Sequence, residues 1–230
     1  MVFRSPRRRA VTPQHKGRYP GFDVLDEVAR WDDVTAGVVL ARLDPRPDMS
    51  FFTPDERATA GALFDRLMAQ DVGPRIDVLG MVDQRLALDE TDGWFYEDMP
   101  EDGDAWRITL AALDADAQQD YGRPFHELAP EDQGNLIQAV QDADEYHGMA
   151  AAHVWSLWTR YACAAFYSHP WAWNEIGFGG PAYPRGYKAL GVDGREGWEV
   201  GEADATDPVP WARRVEQARR THEASIGHRS

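Results

Sequence analysis

Asp144 and His147 come closer than any other pair in the sequence to the spacing of a metal site. In helical bundles that bind two iron ions, two helices each supply an acid and a histidine three residues later. No other histidine in the chain has an acid three residues before it. Only half of the constellation is present, so the sequence favours a surface acid with a nearby histidine over a di-iron centre.

The remaining reactive side chains do not complete a catalytic site. His153 falls on an apolar helical stripe, where a hydrogen-bonded core histidine is more common than a haem ligand. Cys163 is the single cysteine, which excludes a disulfide within the chain and a cysteine-pair zinc site. Its apolar surroundings predict a buried, inert thiol. A Gly-x-Ser-x-Gly nucleophile motif is missing, so the chain is not expected to be catalytic alone.

One glycine-rich segment, residues 177–181, could be taken for a phosphate-binding loop. Such a loop follows a strand and opens a helix, and its backbone N–H groups hold the phosphates. Here Pro181 removes one of those donors, and Pro184 would break a following helix. A turn-rich docking loop is the better interpretation.

Charge and composition restrict the class of protein. The 39 acidic and 24 basic residues give a net charge of -15, which argues against nucleic acid as a partner. The 43% of hydrophobic residues fit a globular domain. Six of the basic residues lie in the first 18 positions, which hold no acid, so residues 1–20 are interpreted as a flexible basic tail.

The three arginines at positions 7–9 are similar to the start of a twin-arginine export signal. Residues 10–16, however, lack the apolar region that should follow such a pair. No apolar stretch approaches the roughly 20 residues that cross a bilayer. We therefore expect no transmembrane segment and a cytoplasmic location, with export alongside a partner as the alternative.

Apolar residues that recur every three or four positions predict a series of helices. The first has a capping box, Thr53 with Glu56, and carries Pro54 at its first position. Asp104 is the predicted cap of the third helix, and Gly122 its stop. The predicted helices run from about 54 to 70, 75 to 88, 104 to 121, 130 onwards and 143 to 167.

The two ends of the chain give weaker patterns. Residues 24–31 suggest a short helix, and the valine-rich run 34–43 fits a helix or a strand. After Ser168 the many glycines and prolines predict an irregular arm, residues 168–230, with a last short helix from Trp211 to His222. The predicted class is all-α: an irregular multi-helix bundle, residues 21–167, followed by a long arm rich in glycine, proline and aromatic residues.

Aromatic residues are concentrated at the start of this arm. A segment so rich in glycine and proline has little means of burying them by itself, and aromatic residues near an arginine are typical of interface anchors. The alternative is an arm packed on its own bundle. The candidate interface residues are Trp171, Trp173, Phe178, Tyr183, Arg185 and Tyr187.

A succession of short motifs resembles the gluconate 2-dehydrogenase subunit 3 family, the small helical subunits of flavin-dependent sugar and polyol dehydrogenases. The most specific are FYSHP at 166–170 and EIGFGGPAYPRGY at 175–187. The others are FFTPDER (51–57), MVDQRLA (81–87), LAALD (110–114), YGRPF (121–125) and LAPEDQ (128–133). They follow the family's order over roughly residues 50 to 190.

The resemblance implies a non-catalytic partner of a larger glucose-methanol-choline (GMC) type oxidoreductase subunit. That subunit would hold FAD and oxidise a sugar or polyol hydroxyl by hydride transfer, and some complexes add a cytochrome as electron acceptor. No cofactor is expected in this chain, and FAD is expected in the partner. Two alternatives remain: an autonomous carbohydrate-binding module that uses exposed aromatic faces, and an electron-transfer protein with a haem on His153 or His147.

Overall fold

The computed structural model describes residues 22–44, 46, 48–189, 191 and 194–200, together with Val11, Pro13 and Tyr19. Its α-helices are α1 (Asp33–Ala41), α2 (Pro54–Leu67), α3 (Val78–Ala87), α4 (Asp102–Tyr121), α5 (Pro130–Asp142), α6 (Ala151–Ser168) and α7 (Pro170–Ile176). Short 3₁₀ helices cover Val24–Arg30 and Phe125–Glu127. A small antiparallel hairpin pairs β1 (Glu145–Tyr146) with β2 (Met149–Ala150). The predicted all-α class is confirmed.

A side-chain cap sets the start of α2, and the backbone conformation that follows the helix sets its end. The predicted capping box is present: the Thr53 hydroxyl accepts from the Glu56 N–H at 3.4 Å, and the Glu56 carboxylate accepts from the Thr53 N–H at 2.8 Å. The helix ends at Leu67 instead of near residue 70, because Ala69 takes a positive φ of 51°. Gln70 then turns inward and makes two hydrogen bonds with the backbone of Ile76.

Two helices start at other residues than predicted. Helix α3, predicted from about residue 75, begins at Val78, since the Asp77 carboxylate caps it by accepting from the Gly80 N–H at 2.9 Å. Helix α4 begins at Asp102, two residues before the predicted cap at Asp104, and Asp102 is buried. Its end at Gly122, with φ +70°, is as predicted.

The long helix predicted from residue 143 starts only at Ala151. The hairpin precedes it, and His147 and Gly148 form its turn with φ values of 49° and 85°. Two consecutive left-handed residues cannot continue a right-handed helix. The prediction of a helix before Ala151, which rested on apolar periodicity, was therefore wrong. The valine-rich run is helical: α1 buries Val39 and leaves Val34 exposed.

The main core lies between α6 and the other helices. Helix α6 packs on α3, α4, α5 and α7, and α2 packs on α3, α4 and α5. Trp106 and Trp158 are completely buried, and the Trp106 ring lies 5.8 Å from the ring of Tyr161 between centroids. The indole N–H of Trp158 donates to the Thr109 hydroxyl at 3.0 Å. Burial of each such ring contributes roughly 1.5–3 kcal/mol.

A completely buried carboxylate, Asp83 on α3, fixes the segment that leads into α2. One of its oxygens accepts from the N–H groups of Ser50 at 2.7 Å and Phe51 at 3.2 Å. The other accepts from the N–H of Phe52 at 2.9 Å. This carboxylate therefore joins the beginning of α2 to the middle of α3.

A second, smaller core joins the beginning of the predicted arm to the first helices. Trp173 of α7 packs with three N-terminal residues, Val24, Trp31 and Val39. The side-chain oxygen of Asn174 accepts from the Val24 N–H at 2.8 Å. Residues 170–176, predicted to be irregular, are thus helical and packed on the residues around 24–39.

Two sequence predictions fall outside the described residues. They are the basic tail of residues 1–20, apart from Val11, Pro13 and Tyr19, and the last helix from Trp211 to His222.

Replacement of Asp83 by alanine should lower the free energy of unfolding by about 3–5 kcal/mol, because one buried and two partly buried N–H groups lose their acceptor. Urea unfolding followed by circular dichroism measures this change. Asp120→Ala, at an exposed position in the last turn of α4, is the control and should change stability by less than about 0.5 kcal/mol. Equal stability of the two variants would contradict the role given to Asp83.

Candidate partner interface

The six candidate residues of the arm divide into buried and exposed side chains. Trp173 is only 4% exposed, and its indole N–H donates to the Tyr167 carbonyl at 2.7 Å. Trp171 is half-buried against the main core, and its backbone N–H donates to Nδ1 of His169 at 3.2 Å. These two tryptophans therefore hold α7 in place within the chain.

Arg185 also makes its contacts within the chain. Its guanidinium donates to the carbonyl oxygens of Gly179 at 3.0 Å and Pro181 at 2.7 Å. It forms an ion pair with Glu27 at 2.8 Å, and its Cζ lies 3.9 Å from the ring of Trp198. Because its guanidinium already binds acceptors within the chain, Arg185 fixes the shape of the arm.

Three aromatic side chains of the arm remain accessible. Phe178 is 39% exposed, Tyr187 58% and Tyr183 67%. The Tyr187 ring lies 5.3 Å from that of Trp198, measured between centroids. Of the six predicted residues, these three are the ones whose faces a partner can reach.

Two glycines of the 177–181 segment, Gly179 and Gly180, pack closely on tryptophans. Gly180 has φ +77°, and a Cβ there would overlap the ring of Trp31. The indole N–H of Trp31 donates to the Pro181 carbonyl at 3.0 Å. The segment follows helix α7, which is not the strand–loop–helix order of a nucleotide-binding loop.

A second exposed aromatic surface, missed by the sequence reasoning, lies in the loop between α3 and α4. Trp94 is 48% exposed and Phe95 53%, and Leu88 at the start of the loop is exposed too. The signal was available: three consecutive aromatic residues, 94–96, stand in an acidic, glycine-containing loop between two predicted helices. We name residues 88–95 the Trp94 loop.

Charged side chains from α3, α4 and α6 hold the Trp94 loop. Arg160 pairs with Asp92 at 2.8 Å and with buried Asp102 at 3.3 Å, and its Cζ lies 4.6 Å from the Trp94 ring. Arg85 pairs with the same Asp92 at 2.5 Å.

The buried end of this network is a tyrosine. The Tyr161 hydroxyl donates to Asp102 at 2.6 Å. Burial, with the nearby Asp102 carboxylate, raises the pKa of Tyr161 well above its usual value, so the hydroxyl remains a donor. The loop therefore rests on a network anchored in the main core.

The two histidines proposed as metal or haem ligands each pair with a single carboxylate. His147 lies 2.9 Å from Asp116, so its partner is not Asp144, and it belongs to the hairpin turn. Nδ1 of His153 lies 2.6 Å from Asp98, and its ring stacks on Tyr96 with centroids 3.6 Å apart. Within the described residues, no three or more metal-ligating side chains come together.

His153 and Cys163 are both partly accessible rather than fully buried. The cavity beside His153 measures about 10 Å³. Burial raises the pKa of the Cys163 thiol, which agrees with the expected low reactivity.

Fold and surface together define a small all-helical protein that presents aromatic side chains on two anchored segments. A family model described as gluconate 2-dehydrogenase subunit 3 matches residues 54–180, more than half of the chain. The chain therefore belongs to the gluconate 2-dehydrogenase subunit 3 family, as its motifs predicted. The match extends from the start of α2 to Gly180.

No curated protein and no solved structure matches the chain significantly. None of the helices in the described ranges has the length and apolar character needed to span a bilayer.

Substitution of Gly180 by alanine should reduce the free energy of unfolding by about 1–3 kcal/mol, because the new methyl group needs a positive φ and meets Trp31. Gly37→Ala in α1 is a matched control: a Cβ there meets nothing within 4 Å, and stability should rise by about 0.5–1 kcal/mol. Urea unfolding of both variants distinguishes them, and a neutral Gly180→Ala would show that the arm is not held against Trp31.

His169, which caps α7, should make stability depend on pH. Burial, with Arg46 and Arg42 nearby, lowers its pKa to about 4. At pH values between the ordinary histidine pKa near 6.5 and the folded-state pKa of about 4, the unfolded chain binds a proton at His169 that the folded chain does not. The free energy of unfolding should therefore fall through this window as the pH decreases, by up to about 3 kcal/mol.

The His169→Asn variant isolates this contribution, since asparagine can still cap the helix but does not titrate. Urea unfolding at several pH values should show a smaller decrease in stability for the variant than for the wild type. Parallel curves for the two proteins would show that His169 is not responsible.

Proposed function

We propose that this chain is the non-catalytic small subunit of a complex whose large subunit is an FAD-dependent GMC-type oxidoreductase. The observation that carries the proposal is the family match over residues 54–180, since the family is named as a subunit of gluconate 2-dehydrogenase. In the proposal, the large subunit oxidises a sugar or polyol hydroxyl by hydride transfer to its flavin. A further subunit can then accept the electrons.

The exposed aromatic residues are the proposed contacts with the large subunit. Phe178, Tyr183 and Tyr187 on the arm and Trp94 and Phe95 on the Trp94 loop are exposed in the isolated chain. Burial of each in an interface would contribute on the order of 1.5–3 kcal/mol. Both segments are held by arginines, so little conformational entropy would be lost when they bind.

In this proposal the arm residues that pack within the chain have a different role from the exposed ones. Trp173 and Arg185 keep the arm on the second core and on Glu27. Substitution of Trp173 or Arg185 would displace the exposed residues and would not remove a direct contact with the large subunit. Variants that test the interface must therefore be placed at exposed positions.

The two alternative functions are supported to different degrees. The exposed faces of Trp94 and Tyr183 would suit stacking on a sugar ring, so calorimetry of the isolated chain with candidate sugars is a necessary comparison. Haem binding has less support, because the 10 Å³ cavity beside the His153 ring is far smaller than a porphyrin.

An affinity pull-down with the tagged chain from its native host tests the proposal. The wild type should recover a much larger protein whose absorption spectrum is that of an oxidised flavin. The double variant Tyr183→Ser with Tyr187→Ser should recover at least about tenfold less of it, because two exposed aromatic anchors are lost.

Tyr121→Ser, at a partly exposed tyrosine at the end of α4, is the matched control and should recover as much as the wild type. A colourless, folded wild-type chain recovered without a partner would contradict the proposal. Sugar binding by that chain would then support the carbohydrate-binding alternative.

A further inference from the structure

A groove of about 330 Å³ opens between α3 and α6, beside the Trp94 loop. Its polar lining residues include Arg46 and Ser168, and its apolar lining residues include Met81, Leu88 and Ala164. Leu88 is 62% exposed and is also the first residue of the Trp94 loop. Leu88 therefore links the groove to the loop that carries the exposed aromatic residues.

Arg46 gives the groove a positive charge that the described part of the chain does not neutralise. Its Nε donates to the Gln84 side chain at 3.1 Å, and Nη1 lies 3.5 Å from the Asp44 carbonyl. Neither acceptor carries a full charge, and no carboxylate of the described residues lies within ion-pair distance of Arg46. Nη2 of Arg46 has no hydrogen bond there either.

A second arginine reinforces this positive region. Arg42 donates to the Ser168 carbonyl at 2.9 Å and likewise has no carboxylate partner among the described residues. Burial and the proximity of Arg46 lower the pKa of Arg42. In a chain with a net charge of -15, two neighbouring arginines without acidic partners form a local positive patch.

The other charged residues that line the groove, Arg85 and Glu90, do not add to this positive charge. Arg85 is neutralised by Asp92 at 2.5 Å and also donates to the Glu90 carbonyl at 2.6 Å. Glu90 itself lines the groove. A carboxylate brought into the groove would therefore be attracted to the Arg46 end and repelled from the Glu90 end, which defines an orientation.

We infer that this groove receives a segment of the large catalytic subunit in which a carboxylate lies next to an aliphatic or aromatic side chain. The carboxylate pairs with the unused N–H groups of Arg46, and the apolar side chain fills the space between Met81, Leu88 and Ala164. This inference rests on the proposed function and adds the place and the chemistry of one contact. A second copy of this chain is disfavoured as occupant, because two chains of charge -15 repel each other.

Two substitutions in the groove and two matched controls test the inference in the tagged complex. Ala164→Trp fills the groove from an exposed position of α6, and Ala152→Trp places the same side chain at another exposed position of that helix. Arg46→Glu reverses the charge of the groove, and Arg123→Glu reverses an exposed charge outside it. Each groove variant should lower recovery of the flavin-containing subunit at least about tenfold, and the controls should change it less than about twofold.

Thermal unfolding checks that all four variants are folded. If the wild type and the groove variants recover the flavoprotein equally, the groove assignment is wrong and the proposed function stands. If even the wild type recovers no flavoprotein, the proposed function fails, and the groove assignment fails with it.

A photo-crosslinking residue at position 164 provides an independent readout. In the wild-type background it should form a covalent adduct with the flavin-containing subunit, and the same residue at position 152 should not. An adduct with a second copy of this chain, or none in a complex that otherwise forms, would overturn the inference.

Discussion

The carboxylate of Asp83 accepts hydrogen bonds from three consecutive backbone N–H groups, and the arrangement of the bundle depends on it. The Phe52 N–H is buried and the other two donors are partly buried, so loss of the acceptor would cost about 1–3 kcal/mol for Phe52 and less for each of the others. Asp83 lies in α3 and the donors precede α2, so the contact sets the position of one helix relative to the other. The position of α3 in turn sets the positions of the groove between α3 and α6 and of the loop that follows α3.

Helix α6 then connects the core to the surface. One side of it places Trp158 in the interior, where its indole N–H meets Thr109. Tyr161 and Arg160 converge on Asp102, and Arg160 continues to Asp92 and Trp94. An exposed aromatic side chain is thus supported by a hydrogen-bonded path from the main core. Such support limits the entropy that the loop would lose when it binds a partner.

The arm follows a related principle with different residues. Trp173 belongs to a small core with Val24 and Trp31, and Arg185 ties the following loop back to Glu27. Trp173 is buried and Arg185 is partly buried, whereas Tyr183 remains exposed. An accessory subunit needs both kinds of residue. Side chains that hold the shape of a contact surface are buried, whereas side chains that contact the partner must be exposed before binding.

The sequence by itself determined the class, the family and some helix boundaries that depend on local chemistry, such as the capping box at Thr53 and the stop at Gly122. These are set by neighbours along the chain, which a sequence displays. Only the tertiary structure decided that Trp173 is buried and Tyr183 exposed, that His147 pairs with Asp116, and that Asp102 faces Tyr161. Each of those outcomes depends on residues more than 30 positions apart or on which surface a segment meets, and neither composition nor periodicity carries that information.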